Sequence, residues 1–130
     1  MKPTTRQTKY CLEIQNQLNI HRHATNAELL LQLHDSFPKL SATTVHRATA
    51  RLAERGLILI APAAQDGSMR YDANIKPHDH FQCTTCGVLR DTDIREIIIP
   101  IIESSIDGCT ISGRLTINGT CKQCNKFKEK

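Results

Sequence analysis

Six cysteines and six histidines in 130 residues set the chemistry this chain can do. Four of the cysteines form two matched pairs, Cys83-Thr-Thr-Cys86 and Cys121-Lys-Gln-Cys124. A Cys-x-x-Cys turn can place two thiolates on one cation, and two such turns complete a tetrahedral four-cysteine shell, the closed donor set of a structural zinc site. The 34 residues between Cys86 and Cys121 exceed common zinc-ribbon spacing, so a small domain must fold between the pairs. Gly87 can relieve the tight turn after Cys86. Cys11 and Cys109 have no partner at ligand spacing and read as small buried hydrophobes.

A second donor set offers nitrogen and oxygen. His78-Asp79-His80 lies just before Cys83. On a strand, positions i and i+2 share a face, so both imidazoles can reach one ion. Asp72 lies upstream, Asp91 downstream, and His23 falls between the first two expected helices. Three imidazoles and two carboxylates suit Fe(II), Mn(II) or Zn(II) better than a thiolate shell would. His21, His34 and His46 read as surface or DNA-facing residues.

These groups must be positioned by an α+β chain. Residues 6–20 carry Tyr10, Cys11, Ile14 and Leu18 at helical spacing. Thr25 can cap a second helix running to about Phe37, before Pro38. Ser41 or Thr43 can cap a third over Thr43–Arg55, with Val45, Ala48, Leu52 and Ala53 on one face and Gly56 as the stop. The period then shortens: Leu57–Ala61 is β-like, Gln65-Asp66-Gly67-Ser68 is a turn, and Met69–Asp72 is the return strand. Three helices followed by a hairpin describe a winged-helix DNA-binding domain, whose third helix enters the major groove. Thr43, Thr44, His46, Arg47 and Arg51 on that helix, with Arg70 on the wing, are the expected DNA contacts, since guanidinium and hydroxyl groups reach phosphates and base edges.

In the C-terminal part, Asp93–Ser105 is expected to be a helix with Ile94, Ile97, Ile98, Ile101 and Ile102 on one buried stripe. Pro100 weakens that reading, and a strand at Glu96–Ile99 is the alternative. Thr110–Ile117 alternates and is expected to be a strand. A unit this small and this rich in isoleucine has more apolar surface than it can hide alone, so a homodimer is expected. The division is therefore residues 1–72 as the winged helix, 73–77 as a hinge, and 78–130 as a small C-terminal α/β dimerisation and metal-binding domain.

Charge agrees weakly with an anionic partner. Residues 1–72 hold 9 basic and 6 acidic side chains (+3), and residues 73–130 hold 8 and 7 (+1). The start of the sequence is polar, and no apolar run approaches the roughly 20 residues a membrane span needs. A cytoplasmic address with no membrane partner is the expectation, and cysteines there are metal ligands or free thiols rather than disulfides.

The run His-Asp-His-Phe-Gln-Cys-Thr-Thr-Cys-Gly at 78–87, Thr-Thr-Val-His-Arg at 43–47 and the late Cys-x-x-Cys at 121–124 together resemble the ferric uptake regulator (Fur) family over nearly the whole chain. The resemblance implies a metal-dependent repressor that binds a double-stranded DNA operator as a homodimer. It implies structural Zn(II) on Cys83, Cys86, Cys121 and Cys124, and a regulatory Fe(II) or Mn(II), with Zn(II) also admissible, on His23, Asp72, His78, His80 and Asp91. Iron-uptake members usually carry Glu at the Asp91 position and peroxide-sensing members carry Asp. Asp72 points the same way, toward a peroxide-responsive (PerR-type) regulator in which His23 or His78 is oxidised. Iron- or zinc-responsive control of uptake genes is the alternative. The chain departs from the family at His46, where Tyr is usual, at Pro77, and at Gly113, where His is common. The last two argue against a third metal site around Asp79. From another class, a zinc or thiol enzyme is disfavoured: nothing supplies an oxyanion hole or a dedicated general base, and a zinc closed by four cysteines has no open position for water.

Overall fold

The computed structural model describes residues 6–128, which fall into two compact units, 6–75 and 76–128. In the first unit, α1 (Arg6–His21) leads through β1 (His23–Thr25) into α2 (Asn26–Leu33), followed by α3 (Ala42–Glu54), β2 (Leu59–Ala61) and β3 (Arg70–Asp72). Capping sets the helix starts. Thr25 accepts from the Glu28 N–H while Glu28 reaches back to the Thr25 N–H, a reciprocal capping box for α2. Ser41 accepts from the Thr44 N–H at the start of α3. Gly56, at φ 72°, closes the end of α3 in a conformation that favours glycine.

The core of this unit is aliphatic, as a Trp-free sequence requires. Ile14 and Leu18 of α1, Leu29 and Leu33 of α2, and Val45, Ala48 and Leu52 of α3 are all buried, with Ile58 and Tyr71 closing the base. An edge-to-face contact between Tyr10 and Phe37, ring centroids 4.8 Å apart, adds an aromatic seam. Three helices and a small antiparallel sheet, ordered β1-β3-β2, make a winged-helix arrangement. The sequence reading lacked β1, which three residues long has no periodicity to detect.

The second unit holds β4 (Asp79–Cys83), β5 (Leu89–Thr92), α4 (Arg95–Ser105), β6 (Thr116–Gly119) and α5 (Lys122–Lys128). Its sheet is mixed, in the order β5-β4-β6: β4 and β5 run antiparallel, β4 and β6 parallel. Residues 95–105 are helical through Pro100, so the helix reading holds over the strand alternative, but the isoleucine stripe expected to be buried is not: no residue of α4 is buried, and Ile94, Ile97 and Ile101 are exposed. The strand expected at 110–117 is displaced toward the C-terminus. The backbone N–H groups of Ile111 and Leu115 donate to the Glu103 and Asp79 carboxylates, which takes them out of any ladder before Thr116. Among the described residues, no helix is long and apolar enough to cross a membrane.

Candidate metal centres

Cys83 ends β4, and Cys121 opens the turn into α5. The parallel register sets Cys83 opposite Gly119, two residues before Cys121, so the sheet delivers both Cys-x-x-Cys turns to one place. The Sγ atoms of Cys83, Cys86, Cys121 and Cys124 all lie within 4.8 Å of one another. Cys83 to Cys124 is 3.8 Å and Cys86 to Cys121 is 3.7 Å. Four thiolates about 2.3 Å from a zinc ion in tetrahedral geometry stand about 3.8 Å apart, whereas a disulfide needs about 2.05 Å. The donor set and its spacing therefore fit a cation.

The backbone prepares these sulfurs unequally. Cys83 Sγ accepts from the N–H groups of Thr85, Cys86 and Cys121. The Cys86 N–H, then that of Cys121, stabilise the thiolate most and pull its pKa down to about 5. The Cys124 N–H does most to lower Cys121. Cys124 is pushed up to about 12, first by its thiol hydrogen bond to Cys121 and then by burial. The backbone N–H groups thus favour the thiolate form at Cys83.

The nitrogen and oxygen donors fall into a group on each unit. On the second, His80 of β4 is the direct cross-strand partner of Asp91 of β5. Its Nε2 lies 3.3 Å from Asp91 Oδ1. His78, two residues back, brings its Nε2 to 3.0 Å from His80 Nε2 and 3.5 Å from Asp91 Oδ1. His78 and His80 are buried and Asp91 reaches solvent. His78 Nδ1 lies 2.7 Å from the Lys76 carbonyl, which can only accept, so that nitrogen carries the proton and Nε2 presents its lone pair. Donors about 2.1 Å from one ion stand about 3.0 Å apart at octahedral edges and about 3.4 Å at tetrahedral ones. The three separations span that range. His78, His80 and Asp91 could therefore hold one cation together.

The first unit repeats the device. His23 of β1 and Asp72 of β3 are also direct cross-strand partners, Nε2 to Oδ2 3.5 Å. Asp72 is fully buried, and its other oxygen, Oδ1, accepts from the Asn74 N–H at 2.8 Å. A buried carboxylate beside an imidazole is costly without a positive charge to meet it.

Of the residues expected at DNA, Thr43, His46, Arg47 and Arg51 are exposed on α3 and Thr44 is half-buried beside Ser41. Arg70 is a correction. Its side chain is buried, and its guanidinium donates to the carbonyls of Pro62 and Ala63, tying the β2–β3 loop to the strand rather than reaching outward. Burial also lowers its pKa. Cys11 is half-buried, its pKa raised by burial against the opposing pull of Arg51 and Arg55. Cys109 was expected to be buried but is exposed, because it follows the Asp107-Gly108 turn, where both residues have positive φ. Two contributors lay outside the sequence reading. The Lys76 carbonyl carries no side-chain signal, and Asn26, whose amide meets His46 on α3, is 20 positions away from it.

The chain is 27% identical over 109 residues to a peroxide-responsive repressor, PerR, of Staphylococcus aureus, covering 82% of this chain and 73% of the relative. Its fold is similar to that of the Helicobacter pylori ferric uptake regulator, with TM-score 0.75, 23% identity, and coverage of 90% of this chain and 80% of the other. It is also similar to the Campylobacter jejuni peroxide stress regulator, with TM-score 0.72, 23% identity, and coverage of 92% and 91%. The profile of the "Ferric uptake regulator family" matches residues 1–107. With that match spanning most of its length, the chain belongs to the ferric uptake regulator family of metal-dependent transcriptional regulators, which are not enzymes.

Proposed function

We propose that this chain is a peroxide-responsive repressor that binds a double-stranded DNA operator as a homodimer when a regulatory cation is bound. The observation that carries the reading is the convergence of His78 Nε2, His80 Nε2 and Asp91 Oδ1 within 3.5 Å, with the His78 lone pair turned inward by the Lys76 carbonyl. His23 and Asp72 complete the ligand set, so that one cation holds residues of both units and favours the DNA-binding form over a relaxed one. Residues 73–77 act as the hinge between a reading domain at 1–72 and a dimerisation domain at 78–130. Cys83, Cys86, Cys121 and Cys124 hold a structural Zn(II).

The reading helix is α3, which offers Thr43, Thr44, His46, Arg47 and Arg51 to the major groove. The dimer is supported by α4, none of whose residues is buried, and by the exposure of Ile94, Ile97, Ile101 and Ile117 on the same unit.

Asp at positions 72 and 91 and the likeness to PerR support peroxide as the signal. Ferrous iron, when bound, would activate the peroxide O–O bond without net loss of its own electrons, so that the two oxidising equivalents of one peroxide fall on a ligand. The imidazole of His23 or His78 takes the oxidation: one oxygen replaces the ring C2 hydrogen and the other leaves as water. Loss of that ligand weakens the cation's grip and releases DNA.

DNA affinity of the zinc-loaded chain with and without Mn(II) tests the switch, and equal affinities reject it. Mass spectrometry of the Fe(II) form after peroxide tests the signal. One added oxygen on His23 or His78 is expected. A metal-dependent repressor that gains none is an iron- or zinc-responsive regulator instead, which the same nitrogen and oxygen donors would serve.

A further inference from the structure

The exposed face of α3 carries a histidine whose hydrogen-bonding polarity is set from inside the fold. Thr49, fully buried one turn beyond His46, has a single hydroxyl proton. Its closest acceptor is Asn26 Oδ1 at 2.8 Å, against 3.1 Å to the carbonyls of Val45 and His46. Asn26 is the first residue of α2, immediately after the Thr25 cap, so its backbone is held by the capping box. With its oxygen engaged by Thr49, the amide turns Nδ2 toward His46 Nδ1 at 3.2 Å. An amide nitrogen can only donate, so His46 Nδ1 must accept. In a neutral imidazole the proton then sits on Nε2, at the far side of an exposed ring.

We infer that the Thr49–Asn26–His46 relay fixes His46 as an Nε2–H donor on the reading face of α3, so that His46 selects a hydrogen-bond acceptor on a base edge in the major groove. The acceptors there are purine N7, guanine O6 and thymine O4; the amino groups of adenine and cytosine are donors and would be rejected. Thr43 and Arg47, exposed three residues before and one after, flank the ring, so it sits within a strip able to approach bases. The order imposed by the relay also reduces the entropy lost when the ring docks, because it is already oriented. This rests on the proposal that α3 enters the major groove.

The test uses the full zinc- and Mn(II)-loaded chain. A site is first selected from random-sequence duplex DNA, then its acceptor atoms are altered singly with 7-deazapurines, 6-thioguanine and 4-thiothymine. One position per half-site should lose about three- to tenfold in affinity with the native chain, the worth of one hydrogen bond, and should lose nothing with His46→Phe. If no position shows a loss that depends on residue 46, the specificity role is overturned while the DNA-binding reading stands. If no salt-sensitive DNA binding is found at all, both fail. Nitrogen-15 NMR of the free chain supplies an independent measurement: the His46 proton should reside on Nε2, and Thr49→Val or Asn26→Ala should mix the tautomers. A proton on Nδ1 in the native chain overturns the relay whatever the DNA result.

Discussion

His80 and Asp91 face each other across an antiparallel pair, with Nε2 and Oδ1 3.3 Å apart, and His23 and Asp72 do the same at 3.5 Å in the other sheet. Direct cross-strand partners put their side chains on one face about 5 Å apart at Cβ. That spacing brings an imidazole and a carboxylate to the separation of two ligands on one ion. The chain thus makes nitrogen–oxygen pairs from the simplest element of sheet geometry, once in each unit.

His80→Ala should lower Mn(II) affinity by about 100-fold or more, at or above the top of the 10–100-fold range typical of losing an outer-shell partner. Zinc content should stay unchanged, because the substitution removes none of the four sulfurs. Competition titration against a chromophoric chelator reads the affinity. Unchanged Mn(II) binding would remove His80 from the ligand set.

Cys83→Ser should cost the chain its zinc and much of the structure of residues 76–130. Cys83 receives three backbone N–H bonds and joins β4 to the second cysteine turn, so its loss removes a ligand and an anchor together. Zinc analysis and thermal melts check this. A variant that keeps one zinc per chain and the native melting temperature would argue that the cluster is not a structural zinc site.

Asp79 points away from the His78 and His80 face and meets Arg95 of α4 at 2.6 Å, while its Oδ1 also accepts from the Leu115 N–H. The carboxylate is buried and the guanidinium is partly exposed. Arg95→Ala would leave that charge without its cation at a cost of about 2–4 kcal/mol, slightly reduced from a fully buried pair by solvent at the arginine. Arg95→Lys should recover part of it. Urea unfolding measures both, and a cost below about 1 kcal/mol would show that the pair is screened like a surface bridge.

In the zinc-loaded chain, Cys109 should alkylate before Cys11. Cys109 is exposed, while Cys11 is half-buried with its pKa raised, so at pH 8 a smaller fraction of Cys11 is the reactive thiolate. Raising the pH should narrow the difference as Cys11 ionises. Peptide mapping after timed iodoacetamide treatment gives the order, and Cys11 reacting first would contradict it.

Much of this was legible because ligand chemistry needs particular side chains at short spacing. Cys83, Cys86, Cys121 and Cys124 declare themselves by type, and His78 and His80 by alternation on a strand. Helix α3 was legible from its Ser41 cap, its apolar stripe and Gly56. Partners set by tertiary contact were not. Arg70 looks like a free wing cation until the carbonyls of Pro62 and Ala63 turn back onto it. The start of β6 depends on Glu103 and Asp79 taking the N–H groups of Ile111 and Leu115, a competition between residues 8 and 36 positions apart. Strand β1 exists because β3 offers it a neighbour, not because its three residues prefer extension.

The parallel seating of β6 against β4 has a consequence for handling the protein. β6 forms the outer margin of its sheet, and Cys121, two residues past its end, belongs to the sulfur cluster with Cys83 at the end of β4. While a cation binds the four sulfurs, β6 cannot slide or peel away without opening that cluster. Stripped of its cation, the margin is free to slip or to pair with a neighbouring molecule. Chelator-treated preparations should therefore fail first by aggregation, before the three-helix unit melts.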